Sequence, residues 1–288
     1  MTIGVFDSGY GGLTILDSMR KELPEYDYLY LGDNARAPYG TRSFEAIYEY
    51  TLEAVKWLFG QDCVLVILAC NTASAKALRT IQQKDLPIIN AERSAAGKER
   101  VNVLGVIRPT VEAVPEFTKN GHIGILATPA TVSSESYVLE LEKIWASGPE
   151  ADKPLCITQQ PCTMWVPLIE AGEHLGTGAD YFVAEYLDAI YAADPQIDTL
   201  VLGCTHYPLL LDKIRAYLDT KNLQPAIIAQ GDIVAVSLKD YLHRHPEYDQ
   251  LLSKNGCCSF ATTDSPEKFA SNATLFLQTP ILANHMTF

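Results

Sequence analysis

Val64-Leu65-Val66-Ile67-Leu68-Ala69-Cys70-Asn71-Thr72 is a continuous apolar run that ends in one small residue, a cysteine and two small hydrogen-bonding residues. A run of this length without polar alternation reads as a strand buried on both faces, the kind found in parallel sheets covered by helices. The same device recurs later in the chain as Leu200-Val201-Leu202-Gly203-Cys204-Thr205-His206. In both, the cysteine falls where a strand ends and a helix is expected to begin. Open α/β sheets place their ligands there. Asn71 or Thr72 is expected to cap the helix after Cys70.

Working outward, strand and helix alternate almost throughout. Strands are expected over Ile3–Phe6, Tyr28–Leu31, Cys63–Ala69, Ile88–Ile89, Val101–Ile107, Ile123–Leu126, Leu155–Thr158, Thr199–Leu202 and Ala226–Ala229. Helices are expected over Leu13–Glu22, Ser43–Phe59, Val132–Trp145, Val166–Ala171, Ala179–Ala192, Leu209–Leu218 and Val234–Leu242, and a last strand–helix pair over Cys258–Phe276. Such alternation defines an α/β fold with mainly parallel sheets flanked by helices. The polar or Pro-containing stretches near 92–109 and 219–225 are the candidate crossings between two domains.

The chain has 288 residues, with 48% hydrophobic and 20% charged residues, values ordinary for a globular protein. No apolar run reaches the roughly 20 residues of a membrane span. Met1–Asp7 lacks a basic region followed by a long apolar one, so no signal peptide and a cytoplasmic location are expected. The net charge of −13 and the scattered Lys and Arg disfavour nucleic acid. An anionic substrate would then be held by locally placed backbone N–H groups and helix N-termini.

The seven cysteines are odd in number and irregularly spaced, unlike a disulfide framework. Cys63 and Cys156 are adequately explained as small apolar residues buried in strands. His243, His245, Cys257 and Cys258 match no familiar zinc spacing, and no metal is expected. Gly9-Tyr10-Gly11-Gly12 lacks the third glycine of the dinucleotide fingerprint, and no phosphate-binding P-loop occurs, so no cofactor is expected either.

For either thiol alone, a buried cysteine at a strand end is the stronger reading. The matched context of Cys70 and Cys204 shifts the balance to chemistry. A free thiol with a pKa of about 8.5 is only about 3% thiolate at neutral pH. Bringing it to about 7 takes roughly 2 kcal/mol, which a helix N-terminus and adjacent donors can supply. Two similar acid–base groups suit inversion of a stereocentre, one removing a proton from carbon and the other returning one to the opposite face. Asp7 could hold a substrate ammonium or orient a base, though a helix-capping Asp7 or Ser8 is a strong competitor. His206 could protonate or orient groups beside Cys204. Pro38-Tyr39-Gly40 is a tight loop whose backbone could donate to a ligand, and Glu170 follows an apolar stretch with surface exposure as its plain reading.

Four segments together resemble glutamate racemase of the aspartate/glutamate racemase family. They are Gly4–Leu13, Gly32-Asp33 through Gly40, Ala69-Cys70-Asn71-Thr72-Ala73, and Gly203-Cys204-Thr205-His206-Tyr207-Pro208-Leu209. The resemblance implies cofactor-independent interconversion of L- and D-glutamate, supplying D-glutamate for peptidoglycan. It implies two α/β domains, 1–107 with 226–288 and 108–225, with the active site in the cleft between them. Cys70 and Cys204 match the family's proton-transfer cysteines, Asp7 and His206 the residues that assist them, and Glu170 is a similar candidate. Asp7, Ser8, Pro38, Tyr39, Gly40, Asn71, Thr72 and Thr205 match substrate-binding positions, and Thr131 resembles another, with Thr128 competing for the role. A homodimer is expected, with no nucleic acid and no membrane as partners. The polar stretch Glu92–Asn102 looks like an insertion, and Arg108 stands where members often carry an acid. Aspartate or hydantoin racemization is the nearest alternative. A gyrase-binding role, with the acidic surface mimicking DNA, is a more distant one.

Overall fold

The computed structural model describes residues 1–149 and 151–288. Its strands are β1 (Thr2–Asp7), β2 (Tyr28–Gly32), β3 (Cys63–Leu68), β4 (Asn102–Gly105), β5 (His122–Ala127), β6 (Cys156–Pro161), β7 (Thr199–Gly203), β8 (Ala226–Ile228), β9 (Cys258–Thr262) and β10 (Asn284–His285). They form two sheets, ordered β10-β9-β2-β1-β3-β4 and β6-β5-β7-β8, and every pairing is parallel.

The chain divides into two compact units, Met1–Val106 with Gly231–Phe288, and Ile107–Gln230. In the first, β3 is buried along its whole length, as its unbroken apolar run requires. Helix Phe44–Gly60 turns Ile47, Thr51, Ala54, Val55 and Leu58 inward, at the spacing of one helical face. In the second, Trp165 meets Tyr207 edge-on with ring centroids 4.7 Å apart, and both side chains are fully buried. The return crossing falls at 230 rather than near 225, because Ala226–Ile228 pairs with β7 and so belongs to the second sheet.

Several local expectations are corrected. Ile88 and Ile89 lie in helix Leu86–Ala95, not in a strand, and Ile88 is exposed. This helix continues from Leu78–Thr80 through a π-helical stretch, Ile81–Asp85. Pro87 has no N–H to give, and the wider turn just before it accommodates that gap. The Asn90 side chain then binds both backbone groups of Val101, accepting from its N–H at 2.8 Å and donating to its carbonyl at 3.1 Å. This pins the polar connection where β4 begins. The helix expected over Val132–Trp145 is two helices, Pro129–Ser133 and Ser136–Ser147, separated at Glu135 by a left-handed backbone (φ 55°). Strand β10 has no counterpart among the expected elements.

Candidate active site

Both sheets reverse direction at their first strand. From β1 the chain goes to β2 on one side and β3 on the other; from β5 it goes to β6 on one side and β7 on the other. The helices that follow such neighbouring strands lie on opposite faces, opening a crevice at the strands' carboxyl ends. Asp7, Ser8 and Cys70 stand at this crevice in the first unit. Thr128, Thr131 and Cys204 stand at the corresponding place in the second.

In the first unit Cys70 is buried and occupies the N-cap of helix Asn71–Lys76, so Asn71 and Thr72 are the first helical residues rather than caps. Its sulfur therefore sits at the positive end of the helix, a place that favours negative charge. Ser8 Oγ is 3.4 Å from Cys70 Sγ. Asp7, also buried, accepts the Gly9 N–H at 2.9 Å; helix Gly12–Glu22 has Gly11 at its N-cap, so neither Asp7 nor Ser8 caps it. The Tyr39 hydroxyl donates to the buried Asp33 carboxylate, which also accepts from Arg36 Nε at 2.7 Å and Thr263 Oγ1 at 2.8 Å. Burial, followed by the Asp33 charge, pushes the Tyr39 phenol far above its ordinary range. With its side chain engaged in this way, Tyr39 anchors the Pro38-Tyr39-Gly40 loop, which begins at a cis Ala37–Pro38 bond. In the sequence Asp33 and Arg36 are no more than members of a motif. Their role needs the fold, because Thr263 reaches Asp33 from beyond β9.

In the second unit the helix expected from Leu209 begins at Leu211. A 3-10 turn, Tyr207–Leu210, precedes helix Leu211–Thr220, so Cys204 does not sit at a helix N-cap as Cys70 does. A side-chain relay stands there instead. Cys204 Sγ lies 3.8 Å from His206 Nδ1, and His206 Nε2 lies 3.1 Å from Glu170 Oε1. Burial works against the imidazolium, but hydrogen bonding to the Cys204 sulfur and the Glu170 carboxylate, together with the charge on that side of the ring, outweighs it and raises the His206 pKa to about 10. Glu170, the last residue of helix Trp165–Glu170, is half-buried rather than a simple surface acid. Thr205 is buried. Thr131 is fully buried; Thr128, at the cap of Pro129–Ser133, donates to Thr131 Oγ1 at 3.1 Å and accepts its N–H at 3.3 Å. The two threonines thus act as a pair. Unanticipated from sequence is a buried cluster behind this end of the sheet, in which Gln230 Nε2 donates to Thr110 Oγ1 at 2.8 Å and Tyr137 Oη at 2.9 Å. The Tyr137 ring packs beside Gly203, where an added Cβ would come within 3.3 Å of it.

Each α/β unit presents a thiol among hydrogen-bonding groups at the reversal point of its own parallel sheet, the place where proteins of this fold class hold their ligands. The chain belongs to the Asp/Glu/Hydantoin racemase family, whose model matches residues 3–233. It is 39% identical to a glutamate racemase of Dinoroseobacter shibae over 98% of this chain and 97% of that one. Glutamate racemase isoform RacE1 of Bacillus anthracis superimposes with a TM-score of 0.83 at 30% identity, covering 99% of this chain and 97% of the other. A glutamate racemase from Francisella tularensis in complex with D-glutamate superimposes with a TM-score of 0.81 at 34% identity, covering 100% and 97%.

Proposed function

We propose that this protein interconverts L- and D-glutamate by passing the α-proton between Cys70 and Cys204, without a cofactor, and so supplies D-glutamate for peptidoglycan. The observation that carries the reading is a thiol at the reversal point of each parallel sheet, each beside its own proton-handling or hydrogen-bonding groups. The glutamate racemase names of relatives near two-fifths identity, and a structural neighbour solved with D-glutamate, favour glutamate over aspartate or a hydantoin.

In this reading one thiolate takes the α-proton, the Cα–H bond breaks, and the electron pair moves into the substrate carboxylate. The S–H bond of the other thiol then breaks as a new Cα–H bond forms on the opposite face. Nothing is oxidised or reduced, and the reverse direction exchanges the two roles. Ser8, Asn71, Thr72, Thr131, Thr205 and the backbone of Pro38-Tyr39-Gly40 would hold the substrate's polar groups, their donors offsetting the charge that builds on the carboxylate. Asp7 would steady the substrate ammonium or the Cys70 proton. His206, held by Glu170, would keep a proton available to Cys204.

A homodimer in the cytoplasm belongs to the same proposal. Among the described residues no helix is long and apolar enough to cross a membrane. Sedimentation velocity tests the dimer, and a single species at the 31.7 kDa chain mass would refute it.

The test is turnover of each glutamate enantiomer in heavy water. Wild type should place deuterium at Cα of the product in both directions. Cys70→Ser and Cys204→Ser should each lower racemization by about 10²–10⁴-fold, the usual contribution of a positioned acid or base. Two-way racemization near the wild-type rate by either variant, or activity on aspartate with none on glutamate, would overturn the reading.

A further inference from the structure

The sequence reads Cys156 as a buried strand residue. It is instead the first residue of β6 and only partly buried. In the parallel register it pairs with His122, the first residue of β5, which brings the two side chains to the same face of the sheet. Asp194 completes the group. It follows helix Thr177–Ala193, and its carboxylate is buried, with Oδ1 accepting the Gln196 N–H at 2.9 Å and Oδ2 lying 2.7 Å from His122 Nδ1. A ring nitrogen of His122, the Cys156 sulfur and a carboxylate oxygen of Asp194 all lie within 4.8 Å of one another. Their place is the amino-terminal edge of the strands. Cys204 follows the carboxyl end of β7, so the cluster lies at the opposite edge of this sheet from that thiol.

We propose that His122, Cys156 and Asp194 form a binding site for a borderline divalent cation of the Zn²⁺ class. The donor set is one imidazole, one thiol and one carboxylate, which suits zinc better than the all-oxygen preference of Mg²⁺ or Ca²⁺. Bond lengths of about 2.0–2.3 Å in a tetrahedral zinc site put its donors roughly 3.3–3.8 Å apart. Reaching that arrangement needs shifts of about 1 Å here, with the His122–Asp194 hydrogen bond opening to admit the ion. On binding, the S–H bond of Cys156 breaks and its proton goes to solvent. Thiolate and carboxylate then balance the two positive charges, and water takes the fourth position. The partial exposure of His122 and Cys156 gives the ion an entry path. Once bound, the ion would tie the carboxyl end of helix Thr177–Ala193 to two strands and stabilise the second unit by mass action. This inference stands apart from the racemase reading, because it uses none of that site's residues.

Co²⁺ is the probe, added to the full-length protein in a thiol-free reductant. The expected result is one thiolate-to-cobalt charge-transfer band in the near ultraviolet, saturating at one ion per chain and displaced by Zn²⁺. Cys156→Ser should abolish the band. His122→Gln and Asp194→Asn should each weaken binding at least about tenfold. Cys257→Ser, which removes an exposed thiol elsewhere, should leave the band unchanged. Circular dichroism confirms that the variants are folded. Absence of a band at millimolar Co²⁺, or a band that survives Cys156→Ser, would overturn the proposal.

Discussion

His206 keeps a proton where burial alone would strip it. The cost of holding a cation out of water is met by two groups at once, the Cys204 sulfur on Nδ1 and the Glu170 carboxylate on Nε2. Its pKa rises from an ordinary value of about 6.5 in the unfolded chain to about 10 in the fold. A raised folded-state value stabilises the fold fully below about 6.5, and this stabilisation is lost as pH climbs through about 10. Glu170→Gln removes the charged partner, so the titration midpoint of His206, followed by NMR of labelled histidine, should fall below about 10. The urea midpoints of wild type and Glu170→Gln should differ most below pH 6.5 and draw together towards pH 10. An unchanged His206 titration would show that Glu170 is not what holds the proton.

The two strand–cysteine segments are alike as strands and diverge immediately after the thiol. Cys70 leads straight into a helix, whereas Cys204 leads into a 3-10 turn, and its sulfur has the His206 ring beside it instead. In the first unit helix Gly12–Glu22 approaches the ends of β1 and β3 closely. A Cβ on Gly12 would lie 2.6 Å from Asp7 Cβ and 3.0 Å from Ala69 Cβ. Both neighbours are rooted in strand ends and cannot swing away. Gly12→Ala should therefore destabilise the protein by about 1–3 kcal/mol, the usual cost of overpacking, measured by urea denaturation. Because Asp7 must move, its loss of activity should exceed what the stability change explains. A stable, fully active Gly12→Ala would mean that the strand ends yield more readily than these distances suggest.

The unit Ile107–Gln230 is one continuous piece of chain with its own four-stranded sheet and aromatic core, whereas the other is assembled from Met1–Val106 and Gly231–Phe288. Strand β9 pairs with β2 along its length, and Phe260 and Phe269 pack against Tyr30 with ring centroids 6.2 and 6.1 Å apart. We expect residues 107–230, expressed alone, to unfold cooperatively by circular dichroism. Residues 1–106 alone should not, since the edge of β2 and the fully buried Tyr30 would be laid open. A cooperative transition for 1–106 by itself would show that the carboxyl-terminal segment is dispensable to that fold.

The α/β alternation is legible in the apolar runs, and both cysteines are legible because a run that stops at a small residue and a thiol marks a strand end. Helix Leu86–Ala95 reads wrongly as a strand at Ile88–Ile89, because a short apolar pair has no period of its own and the π-helical turn ahead of Pro87 leaves no local signal. Cys156 escapes a correct reading for a related reason, since its exposure depends on which strand end it occupies. Local sequence therefore determined the class of fold, most of its strand–helix alternation and the two thiol segments, all of which are written in runs of neighbouring residues. Only tertiary structure decided that Thr263 reaches Asp33, that Glu170 meets His206, and that His122, Cys156 and Asp194 gather at one sheet edge. Those encounters join residues far apart in sequence, and strand register and helix packing, rather than local preference, bring them within bonding distance.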